Sequence, residues 1–419
     1  MKKRWQIIGL LFAAGVINYL HRAALGIAAP LVAAELKLST AQMGVVFSSF
    51  FVGYAFFNFV GGWAADRIGA KRVISAAMAA WSTSCAATAF AVGFKSLLLY
   101  RVIFGAAEGP FVAVTNKVVN TWFPHREVAT AIGVVFCGTP LGGALAGPIV
   151  GFIALKWGWR VAFVAAGAIG LAWLVLWMAM ARETPRQSSG ISPVELAEIE
   201  TNRPPVREEV KLPLIHYLTQ PAVLATAIAY FAYNYILYFF LTWFPSYLVR
   251  QQHLSLESTS LASVLPWCMG MVGQLLGGTI SDAIMHRTGR PLFTRKLVLG
   301  VCLGGSGLCV GFAGLVATAS AAVALMAVAV LFLYLSGTGY WGILQDTIPG
   351  RAMGSVGGFV HCIANISGIV GPVITGLLVA ATGTFASSFL LGTVVAGVGV
   401  LAVVIFVREK SEQNSYQIG

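Results

Sequence analysis

The sequence predicts an all-α membrane protein of twelve transmembrane helices, and three observations lead there. The 419 residues are 58% hydrophobic and only 10% charged, with a mean hydropathy of +0.82, outside the range of soluble domains. Twelve apolar segments can be drawn, each near the length of about 20 residues that a helix needs to cross the bilayer core. The basic residues gather on alternate connections between those segments, as they do in chains threaded through a membrane.

In order, the segments run over 5–34, 41–64, 73–93, 96–120, 127–154, 159–181, 220–250, 257–284, 296–316, 319–345, 352–380 and 384–407. The first opens on Lys2-Lys3-Arg4 and imitates a signal peptide, but its apolar run continues past Arg22 to about Ala34 and eleven further segments follow. An uncleaved first helix is therefore expected. With the N-terminus inside, Lys2, Lys3, Arg4, Arg67, Lys71, Arg72, Arg287, Arg290, Arg295 and Lys296 fall on the inner side, and Lys37, Lys95, Lys156, Arg160 and Arg250 on the outer. This positive-inside bias places both termini in the cytoplasm. The formal charge of +12 thus belongs to a surface facing the lipid bilayer, and no nucleic-acid partner is expected.

The one long polar stretch, 182–219, rich in Pro, Ser and Glu, divides the chain into halves of six segments, 1–181 and 220–419. Within it Ser192-Pro193-Val194-Glu195 reads as a capping box with proline at the first helical position, predicting a short surface helix to about Thr201. The stretch otherwise reads as a solvated tether. An internal repeat supports the division. After the second segment stands Gly62-Trp-Ala-Ala-Asp66-Arg67-Ile-Gly69-Ala-Lys71-Arg72, and after the eighth Gly278-Thr-Ile-Ser-Asp282, with Arg287, Gly289 and Arg290 beyond. In each copy the glycine permits close helix approach, the carboxylate sits at a helix end and the basic residues hold the loop at the inner surface.

The first copy, G-x-x-x-D-R-x-G-x-[KR]-R, resembles the loop motif of the major facilitator superfamily, and the likeness extends over essentially the whole chain. Tyr19-Leu-His21-Arg22, Arg101 through Glu108-Gly-Pro110, Trp122-Phe123-Pro124 and Thr242-Trp243-Phe244-Pro245 are similar to the anion:cation symporter family within it, and there to bacterial sugar-acid proton symporters. The resemblance implies two six-helix bundles related by pseudo-twofold symmetry, a substrate site at the midplane, alternating access, a bacterial inner-membrane location and a monomeric working unit. It assigns a gating role to Gly62, Asp66, Arg67, Gly69, Arg72 and Asp282.

The residues that can carry the chemistry are few, because an ionised group within hydrocarbon costs about 2.5–3.5 kcal/mol by insertion scales and persists where it has a task or a partner. Glu108 is the one carboxylate deep inside a span; Glu35, Asp66, Glu127, Asp282 and Asp346 fall at helix ends. Arg101 lies two turns before it on the same face, about 10 Å away along the axis. Both can line one cavity, and an interhelical salt bridge is the structural alternative. Glu108 is the expected proton carrier. Arg22, about 25 Å along the first helix from Trp5, shares its face with Tyr19 and Asn18 and offers a guanidinium suited to bidentate carboxylate recognition. It is the expected anchor of the substrate anion, with Arg101 assisting in binding or in proton release. Lys117, near the inner end of the fourth span, is expected to snorkel to the surface.

By resemblance, relatives commonly carry an aspartate where His21 stands, as a second protonation site. His21 can titrate near neutrality in its place or serve as a packing residue, and one proton per monoanion is the simpler stoichiometry. Tyr54 matches a family site tyrosine. Asn234 of the seventh span, with Tyr233 and Tyr235 beside it, Ser336 and Trp341 of the tenth, and His361 and Asn365 of the eleventh are candidates for hydroxyl-rich substrate recognition. Trp341 suits stacking on a sugar face and Asn365 hydrogen bonding, while relatives usually place an amide at His361. A packing reading stands beside all of these except Asn365, whose amide is costly in lipid without a partner.

The six cysteines lie in or beside apolar spans with no zinc or disulfide spacing, and neither metal nor cofactor is expected. The absence of G-x-x-x-x-G-K-[ST], H-E-x-x-H and C-x-x-C argues against a primary pump or an enzyme. Glycine-dense stretches at Gly138–Gly151 and Gly270–Gly278 suit helices that cross closely and rock. The expected function is import of a monovalent organic acid, a hexonate or hexuronate, by proton symport. The rivals are an exchanger or carrier of an aromatic acid or dicarboxylate, and a membrane sensor that kept the fold without transport.

Overall fold

A computed structural model describes residues 2–188, 190–201, 213–349 and 352–408; part of the 182–219 linker and the C-terminal tail lie outside the described residues. Twelve helices in it are long and apolar enough to cross a membrane. They are Lys3–Glu35, Thr40–Ile68, Ala70–Phe90, Phe94–Trp122, Arg126–Trp157, Trp159–Met180, Pro221–Thr242, Leu256–Thr288, Pro291–Ala313, Ala319–Thr347, Met353–Thr382 and Ala386–Phe406, called the first to twelfth spans below.

Two spans are less regular than their apolar runs suggest. The fourth is built from Phe94–Glu108 and Phe111–Trp122, jointed at Gly109-Pro110. The seventh ends at Thr242, and Phe244–Arg250 continues the chain as a separate helix after Trp243. Each joint carries a proline, whose missing N–H and ring remove a helical hydrogen bond there. The first joint places Glu108 at the end of a helical piece, beside backbone that does not continue regularly.

Among the first six spans, the first packs on the fifth, the second on the fourth and the third on the sixth. Among the last six, the seventh packs on the eleventh and twelfth, and the tenth on the eighth and ninth. Small residues set these distances: a methyl group added at Gly105 in the fourth span would overlap the Phe50 carbonyl of the second. With no hydrophobic drive between helices in lipid, such close backbone packing supplies much of the attraction.

The first six spans meet the last six through three pairs: first with seventh, second with eleventh, and fifth with eighth. Gly26 abuts the Leu241 carbonyl, Gly44 abuts Pro372 and Gly376, and Gly147 abuts the Ser260 carbonyl. All three contacts lie toward the end that holds the Glu35–Thr40 turn, opposite Lys3 and Phe406, where the first span begins and the twelfth ends. At that end Arg250 Nη1 donates to Thr40 Oγ1 at 2.7 Å, bridging the two sets.

The linker departs from the solvated tether expected of it. Its helix forms at Pro193–Thr201, and the Glu195 N–H donates to Ser192 Oγ at 3.2 Å, as the capping pattern predicts. The Glu195 carboxylate, however, turns to the first span and accepts the Lys3 and Arg4 N–H groups at 3.0 Å each. Glu198 then accepts from Lys2 Nζ at 2.8 Å, Arg4 Nη1 at 2.9 Å and Arg126 Nη2 at 2.6 Å. The positive end of a membrane helix and three cations thus find their acids on the linker, which docks it against the first and fifth spans.

Candidate functional site

Arg22 and Glu108 face each other between the first and fourth spans, near the middle of the bundle. Arg22 Nε donates to Glu108 Oε1 at 2.8 Å, and Nη2 donates to the same oxygen. Both side chains are buried, Glu108 completely and Arg22 to 6% exposure. The guanidinium is ringed by aromatic faces, its centre 5.2 Å from the Tyr19 ring, 4.8 Å from Phe50 and 4.7 Å from Tyr54. The ring quadrupoles favour a cation there. The second carboxylate oxygen, Glu108 Oε2, is buried with no hydrogen-bond partner, as is Asn18 Nδ2 one turn before Arg22.

The interhelical pairing held open as the alternative for Glu108 is thus present, with Arg22 as its partner. Arg101 is also buried and forms no ion pair among the described residues; its guanidinium lies 5.1 Å from both the Phe50 and Phe104 rings, and its Nε has no partner. His21 points away from the pair. Its Nε2–H donates to the Ala166 carbonyl of the sixth span at 2.7 Å, and Nδ1 is unpartnered.

The last six spans supply a facing wall. Tyr238 Oη donates to Asn365 Oδ1 at 2.9 Å, and Asn365 Nδ2 lies 2.9 Å from His361 Nδ1 while donating to the His361 carbonyl at 2.7 Å. The Asn365 amide thus has the partner its burial demands. Tyr230 packs with ring centroids 4.9 Å from Tyr340, 6.0 Å from Trp341 and 6.1 Å from His361. Trp341 is 36% exposed. Ser336 Oγ donates to the Leu333 carbonyl and lies 3.2 Å from Tyr340 Oη. Asn234 is buried in the same span as Tyr230 and Tyr238.

Tyr230 and Tyr238 were not singled out from the sequence. A signal was present, since Tyr230, Asn234 and Tyr238 recur every four residues and so share one helical face. The aromatic and apolar surroundings hid it, because tyrosine in such a run reads equally well as packing.

In the loop motif, Asp66 Oδ1 accepts from Lys117 Nζ at 2.7 Å, and the same ammonium reaches the Ala65 carbonyl at 2.6 Å. Lys117 therefore reaches the inner end of the second span, as expected of a snorkelling lysine, and meets the exposed Asp66 carboxylate there. Gly69 adopts φ +100°, a conformation that favours glycine. The Glu183 carboxylate covers it and caps the third span by accepting the Lys71 N–H at 3.1 Å. Arg67 stacks on Trp63 at 4.3 Å. Gly62 packs near Ala113, while Arg72 and Asp282 are exposed.

Twelve membrane-crossing helices around a buried ion pair, with a polar and aromatic wall opposite, define a multi-pass membrane protein of the transporter class. The chain belongs to the Major Facilitator Superfamily, whose family model matches residues 11–368. It is 51% identical to the Hexuronate transporter of Bacillus subtilis (strain 168), over 97% of this chain and 95% of that one. It is 30% identical to the "Probable galactarate/D-glucarate transporter GudP" of Escherichia coli (strain K12), over 97% of this chain and 94% of that one. Among solved structures, a bacterial homologue of the human lysosomal transporter Spinster, inward-facing and occupied, superposes with a TM-score of 0.73 at 19% identity, covering 96% of this chain and 94% of that one. That likeness bears on the fold alone. The sequence-based expectation of a sugar-acid transporter in this superfamily agrees with these relatives.

Proposed function

We propose that this chain imports a hexuronate across a bacterial inner membrane by proton symport, with both termini cytoplasmic. The observation that carries the reading is the buried Arg22–Glu108 pair with its unpartnered Oε2. While Glu108 is ionised it occupies Arg22. Protonation of Glu108 neutralises the acid and frees the guanidinium fork for the planar carboxylate of a sugar acid. Arg22, Arg101 and Glu108 together carry one net positive charge when ionised, and adding one proton and one monoanion leaves that total unchanged. Loaded and empty sites then carry the same charge, so a complete cycle moves no net charge across the membrane.

The sugar hydroxyls meet Tyr238, Asn365, His361 and Asn234, with Tyr54 and Tyr19 on the Arg22 side and Trp341 at the edge. His21 is committed to the Ala166 carbonyl, so Glu108 alone carries the coupling proton. The two halves, 1–181 and 220–419, rock against one another, and the three close crossings, clustered at the Glu35–Thr40 end, close the outer side in one state and part in the other. Relatives named for hexuronate and for galactarate or glucarate support the substrate class.

The experiment is Glu108→Gln in reconstituted vesicles with labelled D-glucuronate. Loss of gradient-driven accumulation with retained exchange of labelled for unlabelled substrate is expected; undiminished accumulation would defeat the model. One observation favours a second reading: Arg101 is a buried cation without an ion pair among the described residues, and it suits a second carboxylate. If galactarate competes with D-glucuronate at equal or lower concentration, a dicarboxylate is the better substrate.

A further inference from the structure

The carboxylate of Glu108 is half satisfied. Arg22 places both of its donors on Oε1, leaving Oε2 buried and unpartnered, and the one other unpartnered polar group contributed by that face of the first span is the amide Nδ2 of Asn18. Asn18 is 2% exposed and Glu108 is completely buried. Asn18 precedes Arg22 by four residues, which stacks the two side chains on one helical face and directs both toward the fourth span. Arg22, on that same face, bonds the carboxylate, which brings the Asn18 amide within side-chain reach of it. A buried acceptor and a buried donor, each without a partner and side by side, are each costly to leave so and can satisfy one another through a side-chain rotation.

We propose that Asn18 is a positioning residue for proton coupling: its amide donates to Glu108 Oε2 and holds the carboxylate in the orientation that closes on Arg22. This deepens the symport reading and rests on it. The bond exists only while Oε2 is an acceptor. A proton arriving on Oε2 removes that acceptor, and the amide lets go as Arg22 does. Asn18 thereby makes the closed pair harder to protonate and its opening more abrupt.

Other groups face the same carboxylate and have to be distinguished from it. They are Arg22 and Tyr19 from the first span, Tyr54 from the second, Cys85 from the third and Arg101 from the fourth. Tyr19 and Tyr54 present their rings to Arg22, and Arg101 lies on Phe50 and Phe104.

The test is the pH profile of D-glucuronate uptake into proteoliposomes by Asn18→Leu, whose side chain is similar in size and makes no hydrogen bond. Without the donor Glu108 protonates more readily, so the alkaline limb of the profile should move upward by about one pH unit, the equivalent of one hydrogen bond to a charged group. Asn18→Ser, which keeps a donor of shorter reach, should shift the same limb by less, and it serves also if the leucine variant does not fold. In a Glu108→Gln background, where exchange of labelled for unlabelled D-glucuronate is the readout, Asn18→Leu should leave the pH dependence of exchange unchanged, because the group it acts on is gone. An unshifted limb in both single variants overturns the proposal, as does a loss of uptake by the same factor at every pH, which a merely structural role would give. These outcomes are separate from failure of the symport reading, in which Glu108→Gln alone would still accumulate substrate.

Discussion

At the scale of single residues, the pair at the centre predicts that the two arms of a salt bridge fail differently. Glu108→Ala leaves Arg22 buried with no counter-charge, a change that typically destabilises by about 3–5 kcal/mol. Glu108→Gln keeps the shape and one acceptor oxygen and should unfold at a distinctly higher temperature than the alanine variant, as measured by thermal unfolding in detergent. Arg22→Lys keeps the charge but replaces a planar fork with a point donor. Its apparent affinity for D-glucuronate should fall about tenfold or more, which the ligand concentration needed for thermal stabilisation would report. Equal affinities would mean that the carboxylate docks elsewhere. Arg22, Arg101 and Glu108 could be picked out from the sequence because charges in apolar runs are conspicuous. Their pairing could not, since spacing along one helix relates only Arg101 to Glu108, whereas Arg22 arrives from a helix packed alongside. The turn of His21 toward the Ala166 carbonyl was equally hidden, because adjacent residues on a helix point about 100° apart and the sequence does not state which one faces the cavity.

At the scale of elements, the linker helix invites a test by acid. Hydrogen bonding from Arg4 first, then Lys2 and Arg126, pulls the Glu198 carboxyl down to about 2 from its ordinary 4.5. A depressed carboxyl stabilises the docked form fully above the ordinary value and loses that contribution as pH falls toward the folded one. Hydrogen exchange in Pro193–Thr201, corrected for intrinsic rates, should therefore remain slow down to about pH 4.5 and accelerate below it, and Glu198→Gln should flatten that dependence. Glu195→Ala should cost about 1 kcal/mol, the usual value of a helix N-cap, and loosen the first turn of the first span. Packing between spans offers a further check. Gly105→Ala drives a methyl into the Phe50 carbonyl, and overpacking of this kind costs about 1–3 kcal/mol. The twelve spans and the linker helix were readable because hydrophobic length and capping chemistry are local. The joint after Thr242 and the destination of the Glu195 carboxylate were not, because a proline marks where a helix weakens without saying whether neighbours restore it, and an acid names its partner only in three dimensions.

At the scale of the whole molecule, the first six and last six spans meet closely at one end, through Gly26, Gly44 and Gly147 and through the Arg250–Thr40 hydrogen bond. If transport requires these crossings to part, tethering them should stop it. A Thr40→Cys/Arg250→Cys pair in a background lacking the native cysteines should abolish uptake on oxidation and recover it on reduction, while ligand-induced thermal stabilisation persists. Full uptake by the oxidised protein would mean that this end does not open. The six-plus-six division is read from the polar linker and the repeated glycine–aspartate motif, and the superfamily match, residues 11–368, reaches into the eleventh span. Which end is closed was not readable, since one sequence has to encode both states of a rocking molecule.

The acid that caps the start of the first span has an implication for biosynthesis. Lys3 and Arg4 hand their amide protons to a residue more than 190 positions later in the chain. The first span therefore waits, with its leading amides unsatisfied by their final partner, until six spans and the start of the linker have left the ribosome. Completion of the first half is then signalled at its own beginning, before the second half has been made.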